Sequence, residues 1–330
     1  MSTDSQEKLR GTPAAGMRKI GVEIVKIPAS LAGQRIDNFL ITRLKGVPRS
    51  LVYKLLRRGE VRVNKGRVKP AHRLAEGDRV RLPPVRSANG NMASAPPTNM
   101  IRDLSNAVLY EDSRLLVLNK PSGMAVHGGS GIGAGLIEAL RAGRPGAELE
   151  LVHRLDRDTS GCLLVSKRRS ALRSLHRQMR DGLIGKRYQA LLAGALSRPV
   201  VKVDLPLRKN QLRGGERVVQ VDLEAGKPAR TIFRRVAIFE GSTFVDVELH
   251  TGRTHQIRVH AASLGAPVAG DQKYGDEDAN RLLRRRGLKR LFLHAYALSF
   301  QPREESPPVQ VEAPLPPDLA ALLPRIEGAG

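Results

Sequence analysis

The sequence predicts an α+β protein: a small basic helix-hairpin module precedes a larger domain built on a central mixed or antiparallel sheet. Three observations carry this. Alternating apolar segments recur from Lys186 to Leu249 with few helical runs between them, a pattern of strand after strand rather than of strands alternating with helices. Residues 33–86 hold two helix-spaced stretches and two short strand signals, with fifteen Lys and Arg against four acids, a net +11. Between these regions lies SANGNMASAPPTNM, Ser87 to Met100, uncharged and rich in small residues, Asn and Pro, the composition of a flexible linker. A length of 330 residues suits about two domains with a substantial core.

In order along the chain, residues 1–17 are polar with Gly and Pro and read as a tail. Ile20, Val22, Ile24 and Ile27 alternate as in a leading strand over Lys19 to Pro28. Ile36, Phe39, Leu40 and Leu44 then share one helical face, and Leu51, Val52, Leu55 and Leu56 another, with Gly59 placed to end the second helix. Strand signals at Glu60–Asn64 and Asp78–Leu82 follow, the first leading into a Lys65-Gly66 turn. LLVLNKPSGMAVH predicts a strand and a Pro-Ser-Gly turn, and GGSGIGAGLIEAL a glycine-rich loop entering a helix. Helical spacing returns at Leu172, Leu175 and Met179 with Gly182 as the stop. Strands are expected at 186–192, 200–207, 218–223, 231–239 and 243–249. A helix is expected over Arg253–Ser263, with Gln256 and His260 on one face and Arg258 about 200° from Gln256. RLLRRRGLKR is a basic stretch where a solvated helix end and an RNA-backbone contact compete, and a short helix near Asp318–Leu323 closes the chain.

Composition narrows the partner. Fifty-six Lys and Arg face 32 Asp and Glu, a formal net charge of +24, which favours a polyanion such as RNA or an anionic membrane surface. No apolar run approaches the roughly twenty residues that span a bilayer, and MSTDSQEKLR lacks a signal peptide's apolar core. Cytoplasmic RNA is therefore the expected partner, with no membrane. The single Cys162 excludes an internal disulfide framework and a cysteine-rich zinc site, and its apolar run predicts a packed core thiol. Gly129, Gly131 and Ala134 fit only the loosest dinucleotide fingerprint, and no GK[ST] phosphate loop exists, so no nucleotide cofactor is expected. His255 and His260 lack a third ligand at metal spacing, so no metal is expected either.

Chemistry concentrates in LVHRLDRDTSGCLLVSK, Leu151 to Lys167, an apolar run, a polar turn and a second apolar run. Such a strand, turn and returning strand hold side chains on a rigid support. An Asp in a turn ordinarily caps nearby amides, and the spacing does not choose between Asp156 and Asp158 as a reactive carboxylate. Ser160, His153 and Asp156 contain the residue types of a triad, but no G-x-S-x-G elbow surrounds Ser160.

HRLDRDTSG, His153 to Gly161, resembles the signature of the RluA/RluC/RluD family of RNA pseudouridine synthases. NKPSGMAVHGG, GKRYQALLAG, HTGRTHQIRVHAASLG and LFLHAYALSF match further family segments in order. The resemblance covers nearly all of the chain beyond residue 104. It implies a mixed sheet crossed by a catalytic cleft, Asp156 as nucleophile, Arg258 as its guanidinium partner, and Tyr188, in the K-x-Y position, stacked on the uracil and assisting proton removal at carbon 5. It also implies that Arg154 fills the space left by the flipped nucleotide. RIDNFLITRLKGVPRSLVYKLLRRGEVRVN resembles the RNA-binding module first described in the ribosomal protein S-four family, making Arg49, Lys54, Arg57, Arg58 and Arg62 candidate phosphate contacts. The expected divisions are a tail and leading strand over 1–30, this module over 31–86, a linker over 87–103 and the synthase domain over 104–330. Moving uracil from a carbon–nitrogen to a carbon–carbon bond is redox-neutral and requires no cofactor. Specific uridines of large-subunit (23S) ribosomal RNA, free or in a subunit precursor, are the substrates implied. Competing expectations are a synthase acting at other ribosomal or transfer RNA sites, an RNA-binding assembly factor, and a cofactor-dependent oxidoreductase. An intact Asp156, Tyr188 and Arg258 argue against a binding-only role.

Overall fold

The computed structural model describes residues 19–20, 22–44, 47, 49–86, 96–128, 134–211 and 217–327. Backbone contacts divide the chain into two compact units, residues 1–94 and 95–330.

The first unit contains β1 (Lys19–Ile20), β2 (Glu23–Lys26), α1 (Ile36–Arg43), α2 (Arg49–Arg58), β3 (Arg62–Val63), β4 (Gly66–Arg67), β5 (Arg79–Leu82) and β6 (Val85–Arg86). The apolar faces of both helices form its core: Ile36, Phe39 and Leu40 meet Val52, Leu55 and Leu56 over Val63, Val80 and Leu82. Burying one stripe of each helix on one sheet face leaves the basic residues outside. The single leading strand expected here is two strands, because β1 pairs with β6 and β2 with β5. The hairpin turn also differs by one residue. Asn64 and Lys65 take positive φ values of 49° and 69°, and Gly66 already belongs to β4. Asn tolerates that conformation, and its amide is held by Asp78 Oδ1 at 2.8 Å.

The second unit contains α3 (Thr98–Asn106), β7 (Val108–Glu111), β8 (Leu115–Lys120), α4 (Leu136–Gly143), β9 (Glu150–Leu151), β10 (Ser160–Ser166), α5 (Arg169–Arg180), β11 (Gly185–Ala193), β12 (Val200–Asp204), β13 (Leu207–Gln211), β14 (Arg217–Val221), β15 (Arg230–Phe239), β16 (Ser242–Leu249), α6 (Gln256–Ser263), α7 (Glu277–Arg285), β17 (Leu293–Phe300), β18 (Val309–Glu312), α8 (Pro317–Ala320) and α9 (Leu323–Glu327). Ten strands make one sheet in the order β12-β15-β16-β11-β17-β10-β8-β7, with β18 also on β17 and β9 also on β10; β13 and β14 pair separately. The β10–β17 junction is parallel, and the other pairings in this sheet are antiparallel. The sheet is therefore mixed.

Residues alternate across each strand, so the sheet feeds two layers. Leu163 and Val165 of β10 join Tyr188, Ala190, Leu136 and Ile257 on one face. Cys162 and Leu164 join Leu175 of α5 and Phe300 on the other. Burial pushes the Cys162 thiol up to about 12, leaving a packed thiol in the core. Two expectations fail at their edges. The linker was expected to reach residue 103, but Thr98–Asn106 is helical, since Met100, Ile101 and Leu104 pack against the sheet core. The segment 200–207 is not one strand, because Leu205 and Pro206 separate β12 from β13. Gly129 and Gly131 lie outside the described residues.

Candidate active site

Asp156 stands in the connection from β9 to β10, which is tied down at several points. The Lys120 ammonium donates to the carbonyls of Pro121, Met124 and Arg157 at 2.8, 2.9 and 2.9 Å. The Ser122 hydroxyl donates to Asp158 O at 2.7 Å. Burial pulls the Lys120 pKa down to about 7, against the pull of Asp158 and Asp156. Three carbonyl acceptors match the three N–H donors of the ammonium form. At the other end of the loop, the Leu164 N–H donates to His153 Nε2 at 3.0 Å. Burial lowers that histidine to about 4, so it is neutral and accepts the bond.

Geometry separates the two acids that spacing left equal. Asp156 lines a cleft of about 770 Å³, whereas Asp158 is half exposed and pairs with Arg157. Arg258 Nη1 of α6 reaches Asp156 Oδ2 at 3.4 Å. The same guanidinium donates through Nε and Nη2 to the two oxygens of Asp271, at 2.7 and 2.8 Å, and lies 5.1 Å from the centre of the Tyr274 ring. Such a two-pronged pairing fixes the plane of the guanidinium. Burial works to raise the Asp271 pKa, but Arg258 and the N–H groups of Lys273 and Tyr274 outweigh it and hold it below its ordinary value. α6 begins at Gln256, later than expected, and is buried on every side, so Gln256, Arg258 and His260 all meet protein. Gln256 donates to Arg230 O and Thr231 Oγ1.

His255 supplies a second approach to Asp156, with Nε2 at 3.9 Å from Oδ1. Its φ of 52° aims the ring into the cleft immediately before α6. Val219 N–H donates to the Tyr274 hydroxyl at 3.0 Å, and that hydroxyl lies 2.8 Å from His255 Nδ1. When the hydroxyl donates to Nδ1, the neutral ring carries its N–H on Nε2, the nitrogen nearer Asp156. His260 is engaged by Thr231 Oγ1 and Leu205 O. Among the described residues no group of three His, Cys, Asp or Glu could hold a metal.

Tyr188 of β11 is 6% exposed and borders the cleft opposite α6. Burial, then the charge of Asp156, raises its pKa above the ordinary phenol value, so the hydroxyl is protonated at neutral pH. Arg154 is exposed at the same cleft, and Lys186, its pKa lowered by burial, is a further cation there. Ser160 is buried on His294 Nδ1 at 2.9 Å, a structural contact. In the first unit Lys54, Arg57 and Arg58 are exposed on α2, and exposed Arg62 donates to Gly59 O. The side chain of Arg49 lies outside the described residues. Of the basic stretch near α7, Arg290 is held by Asp318 and Arg286 by Glu240. Asp271, Lys120 and the His255–Tyr274 pair were not identified from sequence. Spacing gave no signal for Asp271, 115 residues beyond Asp156 in the chain.

A cleft with a carboxylate at its floor, clamped by a guanidinium and rimmed by cations, defines a carboxylate-centred site for an anionic substrate. Residues 114–263 match the RNA pseudouridylate synthase model, and residues 34–80 match the S4 domain. The chain is 52% identical over 312 residues to the ribosomal large subunit pseudouridine synthase C of Escherichia coli (strain K12), covering 93% of this chain and 98% of the relative. The protein of that name from Pasteurella multocida (strain Pm70) is 51% identical over 92% of this chain and 93% of its own. Among solved structures, human RNA pseudouridylate synthase domain containing 4 superposes with a TM-score of 0.57 at 25% identity, over 69% of this chain and 95% of the human one. The corresponding values for domain containing 1 are 0.54 and 29%, over 66% and 86%. The chain belongs to the RNA pseudouridine synthase family, with an S4 domain ahead of the synthase domain.

Proposed function

We propose that this chain isomerises specific uridines of large-subunit (23S) ribosomal RNA to pseudouridine in the cytoplasm, with Asp156 as the nucleophile. The supporting observation is the Asp156 carboxylate on Arg258 within a basic cleft that also holds Tyr188. The names and near-complete coverage of the bacterial relatives support the substrate. No helix among the described residues is long and apolar enough to cross a membrane.

The target uridine leaves its stack to enter the cleft, and Arg154 at the rim occupies the gap. The Asp156 carboxylate bonds to ribose carbon 1 as the bond from that carbon to the ring nitrogen breaks, and the released uracil anion turns on the Tyr188 ring. Carbon 5 then bonds to ribose carbon 1 and displaces the Asp156 carboxylate, carbon 5 loses its proton and the ring nitrogen gains one, so atoms and electrons balance without an external reactant. Because Tyr188 is a phenol at neutral pH, it accepts the carbon 5 proton as it passes its own to solvent, from which the ring nitrogen takes one. Arg258 holds Asp156 in register and compensates its charge. The first unit holds flanking RNA through Arg49, Lys54, Arg57, Arg58 and Arg62.

Pseudouridine mapping on 23S transcript, and on immature subunits if the free transcript is not a substrate, tests the reading. Wild-type protein is expected to modify discrete uridines, and Asp156→Asn none, while retaining RNA binding. Failure of wild type on both substrates overturns the synthase reading in favour of a binding factor.

A further inference from the structure

A second basic hollow lies on the face of α5 away from the sheet. Ala171, Leu175 and Gln178 turn inward, which leaves Arg173, Arg177 and Arg180 exposed along the opposite side of the helix. Those spacings of four and three residues place the guanidinium groups in one row. Arg114, from the β7–β8 turn, and Arg303, beyond β17, complete a hollow of about 610 Å³. Glu304 is its one acidic lining residue and pairs with Arg177. Five arginines from three separate segments thus line a hollow that holds one acid.

The walls are fixed. Arg168 Nε donates to Ser113 O at 3.2 Å, holding the β7–β8 turn against the start of α5. Buried Gln178 donates to Gln301 O at 2.8 Å and accepts from Gln301 N–H at 3.0 Å, locking the segment that carries Arg303. Arg114 Nε is shielded from solvent with no hydrogen-bond partner. An unpartnered guanidinium donor is costly, so the rest of the Arg114 guanidinium carries its charge to the hollow that the residue lines. Arg180 lines both this hollow and the cleft of Asp156, so the two adjoin at its side chain.

We infer that the α5 hollow is a phosphate track holding the RNA backbone beside the target uridine, as it leaves the catalytic cleft past Arg180. This rests on the synthase reading for the identity of the RNA. Its chemistry is that of backbone contact: arginines without an aromatic platform fix register and read no base.

The test is the triple variant Arg173→Gln, Arg177→Gln, Arg303→Gln, whose three side chains are all exposed. The control replaces Arg198, Lys202 and Arg325 with Gln, exposed residues that line neither the cleft nor the hollow. On 23S transcript the triple variant is expected to raise KM about tenfold and to flatten the log–log salt dependence of binding by about three units, one per lost phosphate contact. The corresponding Arg→Lys triple, which keeps the charge, retains the slope. If the Gln triple matches the control in KM and slope, the track is wrong. Binding slopes measured in an Asp156→Asn background decide the track even if wild type fails to modify the transcript, so failure of the synthase reading is seen separately.

Discussion

Arg258 carries two carboxylates on one guanidinium, and Asp271, fully buried, sets its orientation. Replacing Asp271 with Asn removes a charge from a buried pair and lets the fork turn away from Asp156. Displacing a reacting group by about 1 Å costs on the order of 100-fold in rate, and breaking a buried ion pair costs about 3 kcal/mol. Asp271→Asn is therefore expected to lower kcat about 100-fold with a smaller change in KM, together with a drop in the urea midpoint. Arg258→Lys, which keeps charge but loses the fork, is expected to show the same kcat loss. An unchanged kcat in both would remove the orienting role. The residues proposed to act on substrate, Asp156, Tyr188 and Arg258, were named through motif resemblance, since HRLDRDTSG, K-x-Y and the HTGRTHQIR segment contain them. Their supports were not. Asp271 and Tyr274 are ordinary residues of the segment after α6, and only its path back against that helix brings them to Arg258.

Elements explain why particular signature positions are what they are. Gly161, the second residue of β10, has φ of +110°, and a Cβ there would lie 2.2 Å from the Ala295 carbonyl oxygen of β17. Glycine meets both demands at once. Gly161→Ala is expected to cost about 2–3 kcal/mol from the strained backbone alone. It should also shift the loop that carries Asp156, lowering kcat along with the midpoint in a denaturant titration. Wild-type stability and activity in that variant would show that the approach of the two strands is not limiting. The helices α1, α2 and α5 were readable because a 3.6-residue apolar stripe survives any tertiary context that buries one face. The linker was overextended because absence of charge outweighed Met100, Ile101 and Leu104, a stripe too short to stand out before its partner α4 is known. The break at Leu205-Pro206 was missed for a related reason: two strands of different sheets can form one apolar segment in sequence.

Over the whole molecule, a formal charge of +24 favours a polyanionic partner. The first unit and the synthase domain can share one RNA, so a second contact forms at high effective concentration. Exchanging Lys54, Arg57 and Arg58 for Gln is expected to weaken 23S binding and to flatten its salt slope by about three units, while sites that remain modified keep their identity. A filter-binding series in salt reads this directly; an unchanged slope would take α2 out of the contact. The order in which the sheet is assembled has a different consequence. The support of the nucleophile loop depends on a parallel junction in which Ser160 and Gly161 meet His294 and Ala295, more than 130 residues later in the chain. Pairing across so long a loop is slow and is delayed until the distant strand exists. During synthesis the chain therefore cannot hold Asp156 in its working position until β17 has left the ribosome, and a nascent chain released before that strand should bind RNA through its finished first unit without modifying it.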